Sequence, residues 1–283
     1  MPTSEKTGIY AIGSILLKPK KKVNFVSWVA PLTGILSGYL IWRFLIGSPA
    51  NFLKPDLSGG FWPAHEGPKW GFARIYQGGI IVPLLMGAFL TVIIFVVDRL
   101  LAVRKASGKR GEQLFFQDLR YLLASGSIDT AIRECEIQKG SIGKVMKAGL
   151  FKYKDMMKAD IDRDQKVMAI QKEMDEVSSL ELHAMEKNLV FLSTIASVAT
   201  LMGLLGTVIG MITSFAALGD SGGGEAAQRL SQGISEALYN TALGIGTSAL
   251  SIIMYNVFTT RIDGITYAIG EGAWLLIQSF KLR

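Results

Sequence analysis

Asn188 to Leu218, NLVFLSTIASVATLMGLLGTVIGMITSFAAL, and Gly233 to Phe258, GISEALYNTALGIGTSALSIIMYNVF, are two apolar runs separated by a glycine-rich stretch. A helix that crosses about 30 Å of hydrocarbon needs about 20 mostly apolar residues, and both runs exceed that. Two more qualify nearer the N-terminus, from about Phe25 to Gly47 and from about Gly78 to Val97. The sequence therefore predicts an all-α, polytopic membrane protein with four transmembrane helices. The expected division of the chain is an N-terminal segment at 1–24, spans at 25–47, 78–98, 188–218 and 233–258, a loop at 48–77, a helical region at 99–187, a turn at 219–232 and a C-terminal helix at 259–283.

Composition agrees. The 283 residues have positive mean hydropathy and a formal charge of +7. The basic residues cluster beside apolar runs or mix with acids, which suits a membrane face in contact with lipid and not a nucleic-acid surface. Cys135 is the single cysteine, so an intrachain disulfide is impossible and a cysteine-based metal cluster is unsupported. It reads as a small buried hydrophobe. His65 and His183 are the two histidines, and neither stands beside a serine or threonine as part of a nucleophile–base pair. An enzyme is not expected, nor a metal or cofactor. His183, on an amphipathic helix below the expected membrane boundary, reads as solvated or packed.

Orientation follows from the distribution of lysine and arginine. Lys18, Lys20, Lys21 and Lys22 precede the first span, while Arg104, Lys105, Lys109 and Arg110 follow the second. Both ends are expected in the cytoplasm, and with two further spans the C-terminus as well. Segment 48–77 is then external, with Phe61, Trp62, Trp70, Phe72 and Tyr76 as an interfacial belt. Arg43, inside the first span near its outer end, is expected to snorkel.

Helical periodicity is expected in Gln113–Ala124, Asp129–Ile137, Ile142–Tyr153 and onward from Ile161, with breaks at Gly126, Gly140 and Ser141. From Gln165 the apolar stripe runs into the third span without Gly or Pro. One continuous helix of about 50 residues, or ~75 Å, is therefore expected. The fourth span continues past Arg261 toward Phe280, weakened by Gly264, Gly270 and Gly272. Such tall helices need neighbours, in a bundle or in an oligomer.

Small and hydroxyl residues recur at helical spacing along span three, including Gly203, Gly206, Thr207 and Gly210. Span four repeats the pattern with Gly233, Ala237, Thr241, Gly244, Ser248, Ser251 and Tyr255. Two readings of these stripes stay open: close helix packing, for which the Gly206–Gly210 GxxxG pair is suited, or a hydrated path. Glu236 favours the second. It is the one acid inside the four-span core, Asp98 standing at the very end of the second span, and burying its charge in hydrocarbon would cost about 3 kcal/mol or more, so it must meet protein, water or a proton. An interfacial acid favoured by the helix dipole is the alternative.

At these residues the sequence resembles the MotA/TolQ/ExbB proton channel family, most closely its ExbB branch. Gly203 to Met211, GLLGTVIGM, is similar to the family's GLLGTVxGM signature, and Gly233 to Gly244 to its GIxEALxxTAxGL signature. Tyr255-Asn256-Val257-Phe258 matches the usual exit from the last span, and Cys135 to Leu150 a weaker motif. The resemblance covers about Gly79 to Gly264. It implies a ring, usually a homo-pentamer, around a dimer of a single-span ExbD-like partner whose aspartate carries protons. The ring couples the proton-motive force to a TonB-like protein in the bacterial inner membrane. By resemblance Thr207 and Thr241 line the path, Glu236 is the acid near its entrance, and Gly203, Gly206, Gly210, Gly244 and Ser248 form the packing or pore face. The chain departs from the family in its extra first span and in lacking prolines before GLLGTV and in the last span. A TolQ-like subunit, a gliding or flagellar stator and a structural scaffold remain alternatives.

Overall fold

The computed structural model describes residues 25–56, 65–220 and 224–281. Lys18, Lys20, Lys21, Lys22, Phe61, Trp62 and the centre of the turn at 221–223 lie outside the described residues. Nine α-helices and one two-stranded hairpin account for nearly all the described chain. Among the described residues, four helical stretches are long and apolar enough to cross a membrane. The protein is an all-α, polytopic membrane protein.

Helix α1, Phe25–Leu40, continues through a π-helical turn, Ile41–Ile46. After a short turn come β1, Phe52–Lys54, and β2, Glu66–Pro68, paired antiparallel. A six-residue helix α2, Gly71–Tyr76, leads into the second span, α3, Ile81–Ala106. This helix starts three residues later than the expected 78 and runs well beyond 98.

The extra first span docks on α3 by bare backbone. A methyl group on Gly38 would stand 2.7 Å from the Gly87 Cα, and one on Gly87 would stand 2.7 Å from the Ile35 Cα. Such an approach is available only to glycine, and it suits lipid, where packing and not hydrophobicity joins helices. Where the first two spans meet the hairpin, Trp42, Phe52, Ala73, Tyr76 and Val82 form a separate small core. Tyr76 is buried and stacks on Trp42 with ring centroids 4.3 Å apart. It is therefore a core residue, not part of an interfacial belt, whereas Trp70 is exposed.

Four helices make the extramembrane bundle: α4, Glu112–Ala124, α5, Ile128–Gln138, α6, Gly140–Lys158, and α7, Arg163–Glu186. They start and stop close to the expected bounds because Gly126 and Gly140 take left-handed conformations between them. Ser141 is not a break. It is buried inside α6, where its hydroxyl donates to Glu181 at 2.8 Å. Cys135 is buried as expected, and burial pushes its thiol up to about 12. His183 is exposed on α7.

The third span is α8, Leu189–Asp220, and the fourth is α9, Gly224–Lys281. The expected unbroken helix through α7 and α8 is interrupted at Lys187–Asn188, where Asn188 has φ +69°. Helix α9, by contrast, runs unbroken for 58 residues through Gly264, Gly270 and Gly272. Packing overrides the glycine propensity cost. Ile262, Ile265, Ile269, Leu276 and Phe280 bury one face of α9 against the bundle, and Gly272 makes room for Phe116 and Met146.

The junction of α3 with the bundle is tied by Gln138, which is almost wholly buried. Its amide accepts from the Arg110 N–H at 3.1 Å and donates to the Arg110 carbonyl at 2.9 Å. The adjacent Lys139 has φ 57° and ψ −159°, a region populated almost only by glycine. That strain costs on the order of 1–3 kcal/mol. Lys139→Gly should therefore stabilise the detergent-solubilised protein by about 1 kcal/mol after the entropy cost of glycine. An unchanged or lower thermal midpoint would show the conformation to be unstrained.

Candidate functional site

Helices α8 and α9 run antiparallel and meet along a seam of small residues. A methyl group on Gly244 would fall 2.8 Å from the Gly203 Cα, one on Gly206 2.5 Å from the Asn240 Cβ, and one on Gly210 2.6 Å from the Ala237 Cβ. Gly203, Gly206 and Gly244 are buried, as is Ser248, and Gly210 is half-buried. The glycine stripes read from the sequence therefore face each other within one chain, and close packing accounts for all four. Deeper along the seam the Ser251 hydroxyl, fully buried, donates to the Leu192 carbonyl at 2.7 Å.

The two flanks of this seam differ. On one, α3 packs through Ile81 and Leu85 against Ala199, with Met202 and Leu243 alongside. On the other are Ser193 and Ser197, exposed, and Thr200, Thr207 and Thr241, half-buried. The Thr241 hydroxyl donates across the seam to the Gly203 carbonyl at 3.1 Å. That of Thr207 turns back on its own helix, to the Leu204 carbonyl at 2.6 Å. Both hydroxyls spend their donor on backbone carbonyls and keep their lone pairs free to accept. A shallow apolar depression lined by Thr207, Val208, Met211, Ile212 and Phe215 lies beside them.

Glu236 is half-buried and accepts from the Gln232 side-chain amide at 2.9 Å. Five residues separate it from Thr241, which is about 140° around a helix. Acid and hydroxyl thus leave the seam on different flanks, so Glu236 does not share a side with the two threonines. Its one-turn neighbour Asn240, buried, donates to the Gly78 carbonyl at 3.0 Å, while the amide oxygen has no partner among the described residues. Asn240, read from the sequence as an extension of the polar stripe, in fact ties α9 to the turn before α3. A buried asparagine one turn below an acid was the only available signal for that, because its partner lies 162 residues away.

Residues 138–271 match the model of the MotA/TolQ/ExbB proton channel family. Among similar proteins is the Tol-Pal system protein TolQ of Haemophilus influenzae, 35% identical over 99 residues, which is 35% of this chain and 42% of that protein. Another is the putative biopolymer transport protein ExbB homolog of Methanothermobacter thermautotrophicus, 27% identical over 66% of this chain and 62% of its own. The biopolymer transport protein ExbB of Helicobacter pylori is 39% identical over 32% of this chain and 62% of its own. The chain spans less than two thirds of the length of each of these relatives. The match takes in both halves of the seam and most of the bundle. Over residues 138–271, a little under half of its length, the chain is similar to the MotA/TolQ/ExbB proton channel family.

Proposed function

We propose that this chain is the ring-forming subunit of a proton-driven motor in the bacterial inner membrane, with both termini in the cytoplasm. The observation that carries the reading is the one-sided polarity of the α8–α9 seam. Ser197, Thr200, Thr207 and Thr241 line the flank that no described element of the chain covers. Hydroxyl groups left facing lipid would be poorly solvated, whereas facing a lumen they meet water or a partner helix. Thr207 and Thr241 then line the path, while Glu236, on the other flank of the seam, is an ionisable group near its outer end and not part of that lining. The chain supplies hydroxyls and Glu236 within the seam but no carboxylate at mid-membrane, so the relay is completed by an ExbD-like single-span dimer in the lumen. Work is passed on to a TonB-like protein. A TolQ-type assignment rests on the same seam, and the partner that co-purifies separates the two.

Assembly as a homo-oligomer, a pentamer by family likeness, has its own support. Gly246, Gly264 and Gly270 lie in the interior of α9 with nothing within 4 Å of where a Cβ would stand. Helical glycine costs about 1 kcal/mol relative to alanine, and here no contact within the chain explains it. Gly246 and Gly264 are 18 residues apart, about five full turns, and so lie on one face. Ile253, Val257 and Tyr267 are exposed along that face, as a second copy of the chain would require.

Three outcomes test these points. Thr207→Val and Thr241→Val, which remove a hydroxyl at constant shape, should each lower proton-driven coupling at least about tenfold while the complex still assembles. Normal coupling in both would remove them from the path. Glu236→Gln should reduce coupling at neutral pH and flatten its dependence on external pH. An unchanged pH series would leave the residue as a structural group at the end of a helix. Gly264→Leu, which meets open space within its own chain, should leave the fold intact and reduce the oligomer seen by native mass spectrometry. Unaltered stoichiometry would place the subunit contact elsewhere.

A further inference from the structure

The break between α7 and α8 is built around charge. In a continuous helix the Ala184 and Met185 carbonyls would accept from the N–H groups of residues 188 and 189. Asn188 has left-handed backbone geometry, and the last ordinary bond of α7 runs from the Lys187 N–H to the His183 carbonyl at 3.2 Å. These two are among the four carbonyls, at residues 184–187, that lose their helical donors beside the apolar span that follows. Arg99 of α3 takes their place as donor. Its guanidinium donates to the Met185 carbonyl at 3.1 Å and reaches the Ala184 carbonyl at 3.5 Å, and its side chain is only 7% exposed.

The same guanidinium pairs with its neighbour Asp98 at 2.8 Å. Asp98 in turn accepts from the Asn188 side-chain amide at 3.2 Å, at the first turn of α8. The pair therefore spans the gap with matched signs. The cation faces the negative C-terminal end of α7, and the anion faces the positive N-terminal end of α8. Next to it, Phe95 of α3 stacks on Phe191 of α8 with centroids 5.1 Å apart.

We propose that Asp98, Arg99 and Asn188 form a joint. Their side chains replace the backbone bonds missing between α7 and α8, so that the extramembrane bundle is hinged to the membrane helices at one defined point. In this device Arg99 and Asp98 are positioning residues. Side-chain hydrogen bonds tolerate a change of helix–helix angle that a continuous backbone ladder does not, because the guanidinium offers five donors and the carboxylate several lone pairs. A helix break with no Gly or Pro, held by groups from a different helix, is otherwise unexplained.

Hydrogen–deuterium exchange on the full chain in detergent micelles tests this directly, and the readout does not depend on proton coupling. Arg99→Gln and Asn188→Ala should raise exchange at residues 184–191 by roughly tenfold, the factor for losing a hydrogen bond to a charged group, with the bundle and seam unaffected. Arg99→Lys should recover part of the protection, and Asn188→Gly should retain the left-handed backbone and exchange less than Asn188→Ala. Unchanged exchange at 184–191 in both primary variants would overturn the joint. So would a uniform rise across all helices together with a lower thermal midpoint, since that is the signature of a merely global structural role.

Discussion

The architecture depends on one close approach of backbones, that of Gly203 on α8 to Gly244 on α9. Between helices in lipid there is no water to expel, and the gain comes from packing and polar contacts that only a short interaxial distance allows. A side chain at either position would separate the helices. It would also take the Thr241 hydroxyl away from the Gly203 carbonyl, to which it donates at 3.1 Å. The distinction between the α3 flank and the hydroxyl flank follows from the same contact, because it sets which residues of each helix are turned aside from the seam.

Spans and bundle helices were legible in the sequence for different reasons. The spans follow from length and hydropathy alone. The helix ends around Gly126 and Gly140 follow from the left-handed geometry that glycine adopts at low cost. The break at Asn188 was not legible, because no Gly or Pro marks it and its stabilising charges come from α3, about 90 residues earlier. Asparagine's tolerance of positive φ was the one local hint. Gly264, Gly270 and Gly272 suggested a weak helix, and tertiary packing reverses that expectation. The spacing of Gly203, Gly206 and Gly210 puts them on one stripe of α8, and that of Gly244 and Ser248 on one stripe of α9. Spacing alone could not tell whether each stripe faces another helix or a lumen, and within the chain it faces the other helix. The hydroxyls that remain exposed stand about one position aside.

The first span and the hairpin after it form a unit of their own. Gly34 and Gly38 seat α1 on α3, and the Trp42 indole N–H donates to the Tyr76 carbonyl at 3.3 Å. Residues 25–56 and 65–76 thus contribute to a second, aromatic core, and the family match begins well after them. Asn240 links this side to α9. Its bond to the Gly78 carbonyl connects the start of α3 to the helix that bears Glu236.

The two long helices of the seam have unequal stiffness. Helix α9 is a single rod of 58 residues, about 87 Å at 1.5 Å per residue, and its tilt at one membrane face is transmitted whole to the other. The α7–α8 strut beside it is interrupted, so it bends where the rod cannot. A change of tilt at the outer end of α9 would therefore reach the bundle undiminished, and the mismatch in angle with the interrupted strut would fall at Lys187–Asn188, a single vertebra-like articulation.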